Sequence, residues 1–244
     1  MSHGKVKINN LSQLPFAMEE AFSRLRINVG FTGSDIKKVL VISSLPNEGK
    51  SFVTMHLWYQ MASMGTPSVL VDMDLRKSVL MEKYDIKVDK GDKICGTSHY
   101  LSGNNSLEEA ILHTDIEGGD IIPNTSNIIN PAMLVESARC REMLDELAEK
   151  YRYVFVDAPP LELVSDGERL ASMCDGAILV VRGSSTSKRT VHNSIHQLQR
   201  SGCPVLGIVL NRTENTKKTY YHKYGSYGDG YYGEGYYGSS KNGK

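Results

Sequence analysis

The 244-residue sequence has no excess of charge of either sign, because 28 Lys and Arg balance 28 Asp and Glu. A protein that binds nucleic acid through an overall positive charge is therefore not expected. The four cysteines, at positions 95, 140, 174 and 203, are too far apart for a zinc or disulfide framework. The longest apolar runs, such as residues 177–181, are much shorter than the roughly 20 residues of a membrane-spanning helix. These absences predict a globular protein of a reducing compartment, which reaches a membrane only through a partner.

Short apolar runs alternate with helical patterns along most of the chain. Because these runs are apolar on both faces, they predict an α/β fold with a mostly parallel sheet and helices on both of its faces. Ligands of such sheets bind beyond the carboxyl ends of the strands. The predicted strands are 38–43, 67–73, 153–157, 176–182 and 205–211. The predicted helices are 15–31, 49–64, 107–113, 132–151 and 190–201.

The composition changes after about residue 213. Between residues 220 and 238, eight tyrosines are interleaved with six glycines and almost no aliphatic residue. Such a segment cannot bury a core, so we predict a disordered tail over residues 215–244. An N-terminal segment with one amphipathic helix (1–35) and an α/β domain (36–214) are predicted to precede it. The tyrosines of the tail are Tyr220, Tyr221, Tyr224, Tyr227, Tyr231, Tyr232, Tyr236 and Tyr237.

A loop with a glycine follows the first buried strand and opens a helix. Its sequence is Ser44-Leu45-Pro46-Asn47-Glu48-Gly49-Lys50-Ser51. Backbone N–H groups of such a loop, added to those of the helix N-terminus, bind phosphates. Lys50 is predicted to neutralise β- and γ-phosphates, and Ser51 to bind Mg²⁺. Two residues depart from the usual pattern. Ser44 replaces a glycine, and Phe52 stands where a second hydroxyl is common, which weakens a contact to the α-phosphate.

Two further strands end in carboxylates. Asp72 and Asp74, at positions i and i+2, leave their strand on one face and can reach one metal ion or one substrate hydroxyl. Taken alone, this pair is also compatible with a helix N-cap and a solvated charge. Asp157 ends another hydrophobic strand, the Walker B arrangement, in which the carboxylate orders the Mg²⁺ shell. The three carboxylates together with Lys50 predict a phosphoryl-transfer site.

In this order, and with the tyrosine cluster after them, these motifs resemble the bacterial tyrosine kinase (BY-kinase) family of the capsular or exopolysaccharide type. The resemblance rests on Walker A at 46–51, Walker A′ at 72–76 and Walker B at 156–160. The connecting segments 96–103 and 129–132 are also similar to that family. The resemblance covers nearly the whole chain and implies a P-loop NTPase fold. It further implies ATP-dependent phosphorylation of tyrosines in the tail of a neighbouring subunit.

The resemblance also implies roles for individual residues. The catalytic residues are Lys50, Asp72, Asp74 and Asp157, with Asp72 and Asp74 dividing metal binding and activation of the tyrosine hydroxyl. Mg²⁺ is bound by Ser51, Asp74 and Asp157. The residues expected to contact ATP are Pro46, Asn47, Glu48, Gly49, Lys50, Ser51, Phe52, Arg76 and Asn211, the last of them near the adenine.

The partners implied by the resemblance are a membrane-spanning polysaccharide co-polymerase that activates the kinase, a tyrosine-protein phosphatase, and further copies of the chain in a ring. The protein would then be cytoplasmic, at the inner face of the membrane through that co-polymerase. The family's ring-forming pattern is Glu-x-x-Arg-x-x-Arg. After Glu20, this sequence has Ser23 at the first arginine position, with Arg24 one residue late and Arg26 in place.

Two alternatives are left open by the sequence. A ParA/MinD-type ATPase shares each motif and hydrolyses ATP without phosphorylating protein. The tyrosine-rich tail disfavours it, as does the lack of a lysine in the loop ahead of Gly49. A non-catalytic scaffold of a polysaccharide export complex is the second alternative, and the unusual Ser44 and Phe52 are compatible with it.

Overall fold

A computed structural model describes residues 6–11, 13–87, 94–126, 128 and 130–213. The strands of this part are β1 (Lys7–Ile8), β2 (Lys38–Ser43), β3 (Ser68–Asp72), β4 (Ile86–Lys87), β5 (Leu112–His113), β6 (Gly119–Ile122), β7 (Tyr153–Asp157), β8 (Gly176–Arg182) and β9 (Val205–Asn211). The helices are α1 (Phe16–Gly30), α2 (Lys50–Ala62), α3 (Leu80–Lys83), α4 (Thr97–Leu101), α5 (Leu107–Ala110), α6 (Pro131–Val135), α7 (Ala138–Lys150), α8 (Asp166–Ala171) and α9 (Lys188–Arg200). The predicted tail and its tyrosines lie outside the described residues.

A seven-stranded sheet forms the centre of the fold, in the order β5-β6-β3-β7-β2-β8-β9. Every neighbouring pair is parallel except β5 and β6. Alternate residues of β2 point into two separate cores: Leu40 and Ile42 belong to one, Val39 and Val41 to the other. This confirms the predicted α/β fold, a mostly parallel sheet covered on both faces.

The described N-terminal residues pack onto the same compact unit as the sheet, which extends to Arg212. β1 pairs antiparallel with β4, and α1 buries Phe22 and Val29. Phe16, also on α1, is 78% exposed. Phe16 is the first residue of α1, and the aromatic contact between α1 and α2 is made by Phe22, whose ring centroid lies 5.8 Å from that of Phe52.

Two predicted helices differ from the structure. The first, 107–113, is helical only over Leu107–Ala110, because Leu112 then pairs with Ile121 of β6. Cross-strand pairing has overridden the local helical pattern there, and the short strand β6 was not predicted. The second, 132–151, is divided into α6 and α7 at Ser137, whose backbone is extended.

The carboxyl ends of three adjacent strands bring the predicted motifs together. β7 lies between β3 and β2. Asp72 and Asp157 are direct neighbours in the β3–β7 register, and β2 leads into the loop before Lys50. Ligand sites of parallel sheets form at such an edge. Among the described helices, none has both the length and the apolar composition that crossing a membrane requires.

Candidate active site

The loop between β2 and α2 offers backbone N–H groups at the carboxyl edge of the sheet. Asn47 has a φ of 62° and Gly49 a φ of 97°, both in the left-handed region that Asn and Gly tolerate best. α2 then begins at Lys50 with no side chain capping it. The N–H groups of its first turn are therefore left for a ligand, and phosphate is the ligand such helix starts favour.

β9 holds this loop through Asn211. The amide nitrogen of Asn211 donates to the carbonyl of Glu48 over 2.9 Å, and its amide oxygen accepts from the N–H of Arg212 over 2.9 Å. A Cβ atom at Gly49 would lie 2.0 Å from that amide nitrogen. The amide of Asn211 thus fixes the loop, and the position of this residue near the adenine stays a prediction.

Gly49→Ala is expected to destabilise the protein by at least about 2 kcal/mol, because it combines a positive φ with a clash against Asn211. Gly65→Ala is the matched control, since Gly65 has a φ of 75° and a Cβ added there would have nothing within 4 Å. Thermal unfolding and nucleotide affinity measure the difference between the two variants. Equal losses in both would contradict a specific role of the Gly49–Asn211 contact.

Glu48 faces into the protein. Its carboxylate accepts from the N–H of Leu45 over 2.7 Å, from the N–H of Arg182 over 3.1 Å and from the hydroxyl of Thr186. The residue is 2% exposed. A carboxylate facing a phosphate would repel it, whereas this one ties the loop to the end of β8. Glu48 therefore offers a ligand its backbone and not its side chain.

The two departures from the usual loop pattern have structural explanations. Ser44 has a negative φ, so no glycine is required, and its buried hydroxyl accepts from Ser194 over 2.8 Å. The ring of Phe52 packs against Phe22 and against His56, at a centroid distance of 4.4 Å from the latter. Position 52 thus contributes to the packing of α1 on α2, and only its backbone can serve a phosphate.

Lys50 lies among the predicted carboxylates. Its Nζ is 2.9 Å from Oδ2 of Asp74 and 3.8 Å from Oδ1 of Asp157. Burial alone would lower the pKa of Lys50, but the surrounding carboxylates, led by Asp157 and Asp74, outweigh it and raise the pKa. The lysine is therefore held in its charged form at the point where a polyphosphate is expected.

The carboxylates of Asp72 and Asp157 belong to almost completely buried residues, at 0% and 1% exposure. Asp72 accepts from the N–H of Asp74 over 3.1 Å and from the hydroxyl of Ser78. Burial and the neighbouring Asp157 raise the pKa of Asp72 to about 8. Burial likewise raises the pKa of Asp157, against the opposing effect of Lys50. The interpretation of Asp72 as a solvated charge is thus wrong.

This donor set fits a divalent cation. The carboxylate oxygens of Asp74 and Asp157 border a single lysine, Lys50. Carboxylate and hydroxyl oxygens are the ligands that Mg²⁺ accepts alongside phosphate. The hydroxyl of Ser51, at the start of α2, accepts from Nζ of Lys50 over 3.4 Å, so the predicted metal ligands Ser51, Asp74 and Asp157 converge on Lys50.

Sequence reasoning missed several supporting residues. Thr54 donates to Oδ1 of Asp157 over 3.3 Å, and its spacing of four from Lys50 on α2 was a usable signal. Asp166 accepts from Arg76 through both carboxylate oxygens, at 2.8 and 3.3 Å. Arg76, predicted to contact ATP, is thereby anchored to the start of α8. Nothing in the local sequence distinguished Asp166 or Ser78.

Several kinases are similar to this chain in sequence and in fold. Residues 38–202 match a family model described as an AAA domain. The tyrosine-protein kinase CpsD of Streptococcus agalactiae is 32% identical over 210 residues, which cover 86% of this chain and 90% of that protein. The tyrosine-protein kinase YwqD of Bacillus subtilis is 27% identical, with coverages of 85% and 86%. The crystal structure of the VpsO kinase domain aligns with a TM-score of 0.72 at 29% identity, over 80% of this chain and 96% of that domain.

These relatives are named as kinases, which favours phosphoryl transfer to protein over the ATPase alternative. The P-loop fold also implies that the site takes a nucleotide together with a metal ion. By its AAA-domain match and its identity to CpsD over most of both chains, this protein belongs to the bacterial tyrosine-protein kinase family.

Proposed function

We propose that this chain transfers the γ-phosphoryl group of ATP to the tyrosines at 220–237 in a neighbouring copy of itself. One observation carries the proposal: Lys50 meets the buried carboxylates of Asp74 and Asp157 at the start of an uncapped helix, in a chain with eight clustered tyrosines. Phosphoryl transfer depends mainly on positioning and charge neutralisation, and this arrangement supplies both.

The contacts of Lys50 divide the three carboxylates into two roles. Asp74 and Asp157 lie within 4 Å of the Nζ of Lys50, so these two carboxylates border the site where the phosphates and their cation are expected. We assign these two, with Ser51, to Mg²⁺. Asp72 is held instead by the N–H of Asp74 and the hydroxyl of Ser78, which leaves it to serve the acceptor tyrosine.

A tyrosine hydroxyl, with an ordinary pKa of about 10, needs a proton acceptor as it attacks. In the proposed step a bond forms between the phenolic oxygen and the γ-phosphorus, and the bond from that phosphorus to the bridging oxygen breaks. The phenolic proton passes to the Asp72 carboxylate, and ADP leaves. Bound Mg-ATP supplies the phosphoryl group and a divalent charge, and Lys50 stabilises the negative charge on the transferred group.

The tail suits this role because it is tethered. Tethering raises the local concentration of acceptor to roughly millimolar in an assembly of copies. Each phosphate adds about −1.5 to −2 charges, so full modification makes the tail strongly anionic. We infer from the family resemblance that this change acts on polysaccharide assembly, with a membrane-spanning co-polymerase as activator and a tyrosine-protein phosphatase as the opposing enzyme.

Transfer between copies is tested by mixing two variants. One has phenylalanine at all eight tail tyrosines, and the other is Lys50→Met with an intact tail. With Mg-ATP, each alone is expected to stay unphosphorylated on its tail, whereas the mixture should label the tail of the Lys50→Met chain. Phosphotyrosine blotting after separation by a tag measures this. Wild-type labelling without any labelling of the mixture would contradict transfer in trans.

A further inference from the structure

The carboxylate of Asp72 is closed off from direct contact with an acceptor. The residue is 0% exposed, and both of its carboxylate oxygens already accept hydrogen bonds. Oδ1 accepts from the N–H of Asp74 over 3.1 Å, and Oδ2 accepts from the hydroxyl of Ser78. The adjacent strand places Asp157 directly beside it. A tyrosine hydroxyl that approaches from outside the protein therefore meets one of these groups before it meets Asp72.

Ser78 is the partly exposed member of the two residues that donate to Asp72. Asp74 is buried, at 7% exposure. Ser78 lies instead on the loop between β3 and α3, where its neighbours Lys77 and Val79 are exposed. Its hydroxyl thus connects the accessible surface of this loop with the buried carboxylate.

Two contacts hold the loop that carries Ser78. The N–H of Lys77 donates to Oδ1 of Asp74 over 3.1 Å. The guanidinium of Arg76 is bonded to Asp166 at the start of α8, at 2.8 and 3.3 Å. Both anchored residues, 76 and 77, lie within two positions of Ser78. The fold therefore holds the Ser78 hydroxyl on Asp72 in the protein without ligands.

The oxygen of Ser78 has capacity for a further partner. A serine hydroxyl donates one proton and offers two lone pairs as acceptors. Ser78 gives its proton to Asp72, and among the described residues no group donates to its oxygen. This oxygen can therefore accept a hydrogen bond from a substrate hydroxyl, while its own proton stays directed at the carboxylate.

We propose that Ser78 receives the acceptor tyrosine and passes its proton to Asp72. In this step the phenolic oxygen forms a bond to the γ-phosphorus, the bond from that phosphorus to the bridging oxygen breaks, and ADP leaves. The phenolic proton moves to Oγ of Ser78, and the hydroxyl proton of Ser78 moves to Oδ2 of Asp72. Ser78 ends the step as a neutral hydroxyl and Asp72 as a protonated acid. The proposal rests on the proposed kinase function and adds a catalytic residue to it.

Ser78→Ala removes the hydroxyl and is tested in the mixing assay. The chain with phenylalanine at the eight tail positions is the parent enzyme, and the Lys50→Met chain is the acceptor. At saturating Mg-ATP, the rate of tail labelling is expected to fall about 10²-fold, the lower end of the range for general-base catalysis. The KM for Mg-ATP should stay nearly unchanged, because Ser78 contacts Asp72 and none of the predicted ATP-binding residues. Ser78→Thr keeps a hydroxyl and should retain most of the rate.

Two further measurements separate proton transfer from mere support of the Asp72 carboxylate. Ser78→Asn keeps an N–H donor for Asp72 but has no hydroxyl through which a proton can pass, so it should be as slow as Ser78→Ala. The second uses an acceptor tail with fluorinated tyrosines, whose phenols are ionised at the pH of the assay, whereas an ordinary tyrosine has a pKa of about 10. Such an acceptor has no proton to lose. Ser78→Ala and the parent should label it at nearly equal rates.

Ser201→Ala is the matched control. The hydroxyl of Ser201 donates to the carbonyl of Gln197 over 3.0 Å at the end of α9, and the change should leave labelling at the parent rate. Thermal unfolding shows which variants are folded. If Ser78→Ala is not folded, Ser78→Thr and Ser78→Asn provide the same comparison, between a side chain with a hydroxyl and one without.

A folded Ser78→Ala or Ser78→Asn enzyme that labels the ordinary tail at the parent rate would overturn the proposal. So would a defect of Ser78→Ala that stays equally large on the fluorinated tail, because Ser78 would then have no part in removing the proton. A failure of the kinase assignment is distinguishable from these outcomes, since the parent enzyme, with Ser78 intact, would then label no acceptor chain.

Discussion

Lys50→Met is expected to lower the rate of tail phosphorylation by a factor of about 10³ or more, the scale of losing a cation that stabilises a transferring phosphoryl group. The Nζ of Lys50 lies within 4 Å of both Asp74 and Asp157. Methionine keeps much of the length and the apolar stem of the side chain but removes its charge. Quantitative phosphotyrosine mapping over a time course measures the change.

Lys188→Met is the control, because Lys188 begins α9 at the surface and not at the loop. It should phosphorylate at the wild-type rate. Thermal unfolding with Mg²⁺ present shows whether the Lys50→Met chain is folded, since the divalent charge offsets the lost lysine among the carboxylates. If a folded Lys50→Met chain phosphorylated its tail within about tenfold of the wild-type rate, Lys50 would have no major role in catalysis.

Asp72→Asn is expected to lower the phosphorylation rate by about 10²- to 10⁴-fold, the range for loss of a general base. The same substitution is expected to leave the stability of the folded protein unchanged or to raise it. The asparagine side chain can still accept from the N–H of Asp74 and can donate to Ser78, so the local hydrogen bonds survive. Because the change replaces a buried acid, whose charged form is unfavourable beside Asp157, with a neutral side chain, the ligand-free protein should be as stable as the wild type or more stable.

Thermal unfolding and steady-state kinetics together separate the roles of Asp72. A base is expected to act mainly on kcat, with the KM for ATP nearly unchanged. Asp35→Asn is the control, as Asp35 is an exposed carboxylate bonded only to the hydroxyl of Ser34 among the described contacts. If Asp72→Asn raised the KM for ATP and left kcat intact, Asp72 would be a binding residue and not the proton acceptor.

The inner strands of the central sheet could be predicted closely, for a physical reason. β2, β7 and β8 are buried along nearly their whole length, so each appears as a continuous apolar run with clear ends. β9 lies at the edge of the sheet and is partly exposed, yet its apolar run still identified it. The predicted active-site residues follow from the same pattern. Asp72 and Asp157 end two such runs, and Lys50 begins the helix that follows a third. Parallel strands place their carboxyl ends along one edge.

The pairing partners and side-chain directions could not be predicted. β5 and β6 are two and four residues long and pair with each other, so no local pattern identifies them. Nor does the sequence show that the carboxylate of Glu48 turns inward to Arg182 and Thr186, 134 and 138 positions away. Such contacts depend on the tertiary fold alone.

Phosphorylation of its own tyrosine cluster is the activity proposed for this chain. It is tested by incubating the purified full chain with Mg-ATP, together with the cytoplasmic segment of the proposed co-polymerase, and recording intact mass and phosphotyrosine positions. We predict successive mass steps of about 80 Da, one per phosphoryl group, confined to residues 220–237 and absent in Lys50→Met. Turnover of ATP with no change in the mass of the protein would contradict the kinase assignment and identify an ATPase.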